Sequence, residues 1–310
     1  MSLKWPDKIL LVKIESTYGT NAVPTGSANA ILALDVDLKP MEGNDVDRGL
    51  EKPFFSANET IPSGLHAKIS FKVELAPSGT AGTAPAWGPL LRACGVAEVI
   101  VATTSVTYNP VTDNHESVTI NIFIDKTSYA LVGARGTCKM NVTSEAVPKL
   151  EFEFTGLFVK PVEGTRPTPD HSSFQKPQLV SKANTTTFSI ASTDLVMKSA
   201  MLDLGNAVEG RYLVGQEEIL ITDKAESFET TVNAVALTTL DPFTLALDQT
   251  KVAVSLVHGV GAGKIATLAI PGAQMQRLSG LANSQNVKEW PLRLTPLPTS
   301  GNDQWTLALT

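Results

Sequence analysis

Apolar and polar residues alternate with a period of two through most of the chain. In "HAKISFKVELAP", Ile69, Phe71, Val73 and Leu75 share one face, while Lys68, Ser70, Lys72 and Glu74 share the other. That is the signature of a strand buried on one side only. "PKLEFEFTGLFV" repeats it, with Leu150, Phe152 and Phe154 set against Lys149, Glu151 and Glu153. "AILALDVDLKP" reads as a strand ending at Pro40. Further strands are expected at "AEVIVATTSVTY", "ESVTINIFID" and "TCKMNVTS". Later ones fall at "DLVMKSAMLDLG", "EEILITD", "SFETTVNAVA", "FTLALDQ", "VAVSLVHGV", "KIATLAIPGAQM", "WPLRLTPL" and "QWTLAL".

One segment breaks the pattern. In "APAWGPLLRACG", Trp87, Leu90, Leu91 and Cys94 follow i, i+3, i+4, i+7 spacing, a single apolar helical stripe. Pro85 suits an early helical position and Gly95 a left-handed C-terminal cap. Gly88 and Pro89 limit the helix to two or three turns, and it is expected to cover the outer face of a sheet.

Three stretches carry no regular period. Residues 1–30 read as an extended arm, rich in Gly, Pro, Ser and Asn from position 16 onward. Residues 41–65 form a long polar loop of the kind that usually binds partners. Both carry apolar patches (Ile9, Leu10 and Leu11; Pro53, Phe54 and Phe55) and are expected to contact neighbouring copies. The stretch 160–178 holds Pro161, Pro167, Pro169 and Pro177 and reads as a linker. The expected organisation is therefore an arm at 1–30, a β domain at 31–160, a proline-rich linker at 161–176 and a second β domain at 177–310. The second β domain echoes the first. "ISFKVELA" can be laid on "ESFETTVNAV", and "GTCKMNVTSEAVPKLEFEFTGLF" on "GAQMQRLSGLANSQNVKEWPLRLTPLP". This is the pattern of a divergent duplication, although the second part offers only "LDPFTLALDQ" where the first has its helix.

Composition narrows the function. The 310 residues are 43% hydrophobic and 18% charged, with a net charge of −6. Residues 1–160 hold 17 acids and 14 bases and the remainder 14 and 11, so each part carries −3. A dedicated nucleic-acid binder needs clustered Lys and Arg, which are missing. The N-terminus lacks the apolar run of a signal peptide, and no stretch approaches the roughly 20 apolar residues of a membrane helix. Cys94 and Cys138 read as small buried hydrophobes in a chain that folds in a reducing cytoplasm.

Candidate chemistry falls away position by position. "HGVGAGKI" has Ile265 after Gly263-Lys264 and His258 where a phosphate loop needs its first Gly, so it reads as a hairpin turn. Asp45 and Asp47 are spaced like calcium-loop ligands, but Gly49 and Ser56 occupy the later ligand positions. His66, His115, His171 and His258 are scattered, and no Gly-x-Ser-x-Gly elbow occurs. Asp35 and Asp37 share a strand face without a partner acid or base. No catalytic, cofactor-binding or metal-binding residue is expected, and no cofactor.

Several segments in order resemble the tail tube proteins (major tail proteins) of long-tailed bacteriophages. These are "VKIESTYGTNAVPTGSANAILALDVDLKP", "VDRGLEKP", "TIPSGLHAKISFKVELAPSGTAGTAPAWGPLLRACGV" and "GARGTCKMNVTSEAVPKLEFEFTG", across residues 12–158. "TAPAWGPLLRACG" is the most specific block. "AMLDLGNAVEGRYLVGQEEILITDKAESFE" resembles a later segment of the same family. The resemblance implies a mainly β, sandwich- or barrel-like tube domain with one flanking helix, followed here by a second divergent tube-like β domain. It implies an inner sheet that joins neighbouring copies into a continuous barrel, and rings that stack into a hollow tube conducting DNA into the host, assembled in the bacterial cytoplasm and located in the virion tail. Other tail proteins, namely the tape measure, terminator and distal tail proteins, would be partners, without membrane binding by the subunit. With two tube domains per chain, three chains would close a pseudo-sixfold ring; with one, six would be needed. Readings from other classes are a β-sandwich adhesin or carbohydrate-binding module, for which 6% aromatic content is poor, and a hydrolase, for which no motif is present.

Overall fold

The computed structural model describes residues 4–310. It is 52% strand and 5% helix. In chain order the first part forms β1 (Lys8–Ile14), α1 (Gly26–Asn29), β2 (Ala30–Ile31), β3 (Leu34–Asp47) and β4 (Thr60–Glu74). Next come α2 (Gly88–Arg92), β5 (Val96–Val101), β6 (Ser105–Pro110), β7 (Val118–Ile124), β8 (Thr127–Thr143) and β9 (Lys149–Phe158). The proline-rich stretch contributes only β10 (Val162–Glu163), hydrogen-bonded to the start of β8.

The second part forms β11 (Thr185–Ile190), β12 (Thr193–Asp194), β13 (Met197–Asp203), β14 (Asn206–Leu213), β15 (Gln216–Lys224) and β16 (Ser227–Asn233). After them lie α3 (Pro242–Leu247), β17 (Lys251–His258), β18 (Ala266–Met275), β19 (Ala282–Ser284), β20 (Val287–Pro296) and β21 (Thr306–Leu309).

Strand alternation builds a sandwich. β4 and β9 pair in register, Phe71 with Phe152 and Ile69 with Phe154, so their apolar faces coincide and their charged faces coincide. Phe71, Phe152, Phe154, Phe228, Trp87, Tyr108 and Trp290 are the largest side chains fully buried in the interior. One continuous cluster of buried apolar residues draws on both parts of the chain. β8 serves both layers of the sandwich. One of its edges pairs with β9; the other pairs with β7 over residues 127–134 and with β13 over 139–143. A bulge between Val132 and Arg135, with Gly133 at φ +59, turns the strand between these partners. Just beyond it, a Cβ on Gly136 would lie 2.4 Å from the Glu153 carbonyl and 2.5 Å from the Phe154 ring, so only glycine fits.

The order of pairing repeats. In the first part strands join as β2–β1–β7–β8–β9–β4–β3. In the second they join as β12–β11–β17–β18–β20–β16–β13. Every member occupies the same place in chain order. α2 follows β4 as α3 follows β16, and both β3 and β13 carry an extra, bulged residue near their start. The parts are stitched by β8–β13 on one side and β6–β21 on the other.

Several expectations need correction. The segment 8–14 of the supposed arm is a core strand: Ile9, Leu10, Leu11 and Val12 are buried, and β7 pairs along its whole length. Its run of apolar residues lacks alternation because both faces are covered. The following Glu15 is buried but satisfied, accepting hydrogen bonds from Ser117 Oγ, Thr119 Oγ1 and the Gly19 and Gly133 amides at 2.7–2.9 Å. Removing residues 1–16 would therefore dismantle the sandwich before it touched assembly; residues 1–3 lie outside the described residues. The loop 41–65 is in large part a long hairpin, since β3 runs on through Pro40 to Asp47 and β4 begins at Thr60. α2 is a single turn starting at Gly88, with Pro89 rather than Pro85 in the early position. "FTLALDQ" is helix α3, not a strand, because Asp241 caps the amides of Phe243 and Thr244. The mainly β fold class itself is as expected, realised with sheets that do not close into a barrel within the chain, and among the described residues there are three short helices rather than one.

Candidate functional site

The charged face of the sheet runs unbroken across both parts of the chain. β3, β4, β9, β8, β13, β16 and β20 stand side by side, and their outward residues are mostly polar, with the apolar Met201 and Pro291 among them. Two open grooves lie on this face. One, of about 220 Å³, is floored by Ser70, Lys72, Thr137, Lys139 and Glu151. The other, of about 650 Å³, is floored by Asn141, Thr143, Ser199, Glu229 and Arg293. The surface is thus broad, hydrophilic and furrowed.

Four of its cations are held by carboxylates. Lys72 Nζ lies 3.2 Å from Asp35 and 3.6 Å from Glu151. Lys139 lies 2.9 Å from Asp203, Lys198 3.0 Å from Glu289, and Arg293 2.5 Å from Glu229. The Asp35 hydrogen bond raises the Lys72 pKa, as the Asp203 hydrogen bond raises that of Lys139. Paired in this way, these cationic groups offer no bare run of positive charge to a polyanion.

Each part also sends out a hairpin, and the two meet different fates. The β14–β15 hairpin of the second part lies against the first. Asn206 Nδ2 donates to the carbonyls of Cys94 (2.7 Å) and Gly136 (2.9 Å). Lys224 Nζ donates to those of Gly95 (2.6 Å) and Val111 (2.7 Å), sealing the C-terminal end of α2. Burial among these groups lowers the Lys224 pKa. From the other side, Arg135 donates to the Ile219 carbonyl at 2.7 Å, and the Ile219 amide donates to Tyr18 Oη at 2.6 Å. The β3–β4 hairpin of the first part has no such bed. Met41, Val46, Phe54, Phe55 and Ile61 are all exposed, Phe55 completely.

The dismissed motifs take ordinary places. His258 is buried at the end of β17 between Thr185 and the Gln178 carbonyl, and burial lowers its pKa. Gly259, Gly261 and Gly263 have positive φ in the β17–β18 turn. Asp45 and Asp47 lie on the exposed hairpin. Asp35 is an ion-pair partner of Lys72, and Asp37 is exposed on the outer edge strand. Cys94 and Cys138 are free and buried, and desolvation raises both thiol pKa values. Among the described residues no group of three or more His, Cys, Asp or Glu gathers as a metal cage. Sequence reasoning missed Asn206, Lys224 and Arg135, whose partners are main-chain carbonyls far along the chain; no local pattern marks them.

Comparison with known families matches residues 5–304 to the family described as phage tail tube protein. No individual curated protein matches the chain.

Proposed function

The chain belongs to the phage tail tube proteins, structural subunits of the virion tail that self-assemble into a tube, and we propose that three copies close each ring of that tube. In this reading residues 8–160, with the strand at 8–14 counted into the first domain, and residues 177–310 are two divergent copies of one tube domain joined by the proline-rich linker. The observation that carries it is the repeated order of pairing, β2–β1–β7–β8–β9–β4–β3 against β12–β11–β17–β18–β20–β16–β13. Two wedges per chain halve the number of chains a pseudo-sixfold ring requires. The ion-paired polar face lines the lumen, where neutralised cations let DNA slide past without gripping its phosphates. Rings stack, and the ends of the stack meet the tape measure, terminator and distal tail proteins. Assembly takes place in the host cytoplasm, and the tube conducts DNA during ejection. The chain performs no catalytic step in this scheme.

A cryo-EM cross-section of tubes formed by the purified chain tests the proposal. Three two-lobed subunits around the channel are expected. Six identical lobes, each a whole chain, would refute it.

A further inference from the structure

The junction between the two parts has an unfilled counterpart. Inside the chain, β13 lies antiparallel to the end of β8, with Ser199 opposite Thr143, Met201 opposite Asn141 and Asp203 opposite Lys139. Matching the parts through their own ladders places β3 on β13. Leu38 pairs with Ile69 as Leu202 pairs with Phe228, so Asp35, Val36 and Asp37 stand where Ser199, Ala200 and Met201 stand. Burial agrees, because Val36 and Leu38 touch the core from the positions of Ala200 and Leu202. By the same matching, Asn141 pairs with Lys149 as Ala282 pairs with Glu289, so Ala282–Ser284 stands where Asn141–Thr143 stands. Among the described residues, β3 pairs only with β4 and β19 only with β20. The chain therefore ends at one side in an open β3 edge and at the other in an open β19 edge. These are the two halves of a junction it already contains once.

The hairpins and helices repeat the mismatch. β14–β15 covers the C-terminal end of α2, whereas the outer side of α3 is uncovered, with Phe243 42% and Leu247 81% exposed. The equivalent β3–β4 hairpin is the one carrying exposed Val46, Phe54, Phe55 and Ile61. Unpaired strand edges beside exposed apolar patches mark an interaction surface.

We infer that the internal junction is the template for the contact between copies. Asp35–Asp37 of one copy pairs antiparallel with Ala282–Ser284 of the next, and the β3–β4 hairpin lies over α3 of that same neighbour. The partner is thus a second copy of this chain, docked within the ring. The inference rests on the tube reading and deepens it by naming the edges, their register and the covering hairpin. The β8–β13 contact supplies the geometry: directly opposed residues of neighbouring antiparallel strands have Cβ atoms about 4.5–5.5 Å apart.

The experiment is disulfide trapping in assembled tubes. The native Cys94 and Cys138 are buried and stay out of the reaction. The double variant Asp37→Cys/Ala282→Cys, oxidised after assembly, is expected to give covalent dimers and trimers on a non-reducing gel, with nothing larger. Mixed tubes of Asp37→Cys and Ala282→Cys single variants should give dimers only, which proves a contact between copies even if the double variant assembles poorly. Moving the second thiol one residue, as Asp37→Cys/Asn283→Cys, puts the two on opposite faces and should cut the yield at least tenfold. Tubes that form without cross-linking in both the double variant and the mixture overturn the inference. A ladder ending at six keeps the junction and refutes the three-chain ring. Wild-type chain that makes no tubes refutes the tube reading itself.

Discussion

α2 and α3 occupy the same place in the two parts of the chain, each following the strand that the long hairpin leads into. They differ in what covers them. α2 buries Leu90 and Leu91, and the Cys94 and Gly95 carbonyls just beyond its last turn accept from Asn206 and Lys224 of the β14–β15 hairpin. α3 buries only Pro242, and leaves Phe243 and Leu247 in solvent. Their N-termini differ in the opposite sense: α2 has no side-chain cap, while Asp241 caps α3. A helix held by packing can dispense with a cap, whereas a single bare turn cannot nucleate without local hydrogen bonds. The pair teaches that equivalent elements acquired different supports according to whether their neighbour lies in the same chain.

The strongest way to break this comparison is to cut one leucine from each helix, the buried Leu91 and the exposed Leu247. Leu91→Ala should cost about 2–5 kcal/mol of folding stability, the range for truncating a fully buried leucine, measured by denaturant unfolding of the unassembled chain. Leu247→Ala should change the same quantity by less than about 0.5 kcal/mol, as at ordinary surface sites. Equal costs would mean that Leu247 is covered in the single chain as Leu91 is.

Removing the β14–β15 anchor comes next. Asn206→Ala leaves the Cys94 and Gly136 carbonyls without their side-chain donor, and a loss of about 1–3 kcal/mol follows from stranding buried polar groups. Hydrogen exchange should then quicken across residues 206–224 before it does in β4 or β9. No change in either would show that the hairpin is held by other contacts.

A smaller effect on the fold is expected from the free hairpin. Phe55→Ser should leave unfolding of the single chain within about 0.5 kcal/mol of the parent, yet slow or abolish tube growth followed by light scattering. Unaltered growth would show that this exposed ring has no partner in the tube.

The smallest effect concerns the caps. Hydrogen bonds from Thr244, side chain before main chain, hold the Asp241 carboxyl below its ordinary 3.8. A depressed acid contributes stability that is complete above the unfolded pKa and is lost as pH falls through the folded value. α3 amides should therefore lose exchange protection below about pH 4 while α2 amides, lacking a carboxylate cap, do not respond. Asp241→Asn should remove most of that pH dependence.

Strand identity was legible wherever one face meets the core and the other meets solvent. β4 and β9 could be read residue by residue, because alternation records burial directly. β1 could not, since covering both faces erases the period. The extension of β3 past Pro40 was hidden because an edge strand tolerates proline and exposes both faces to solvent. α3 was misread because "FTLAL" suits a strand as well as a helix, and the deciding signal was the Asp241-Pro242 start rather than the apolar residues. The absence of a catalytic motif was visible, but Asn206, Lys224 and Arg135 were not, because each acts on a carbonyl brought near only by folding.

The sequence by itself determined the alternating strands, the apolar stripe of α2, the left-handed Gly95 that ends its turn, and the kinship with tail tube proteins. All of these depend on residues close together in the chain. Tertiary structure alone decided that β8 leaves β7 for β13, that β6 takes β21, and that one hairpin finds its bed at home while the other is left open. Those outcomes depend on backbone hydrogen bonds between segments up to two hundred residues apart, such as Leu309 beside Val106. A backbone amide carries no side-chain signature, so no local pattern of residues could announce which edge it would meet.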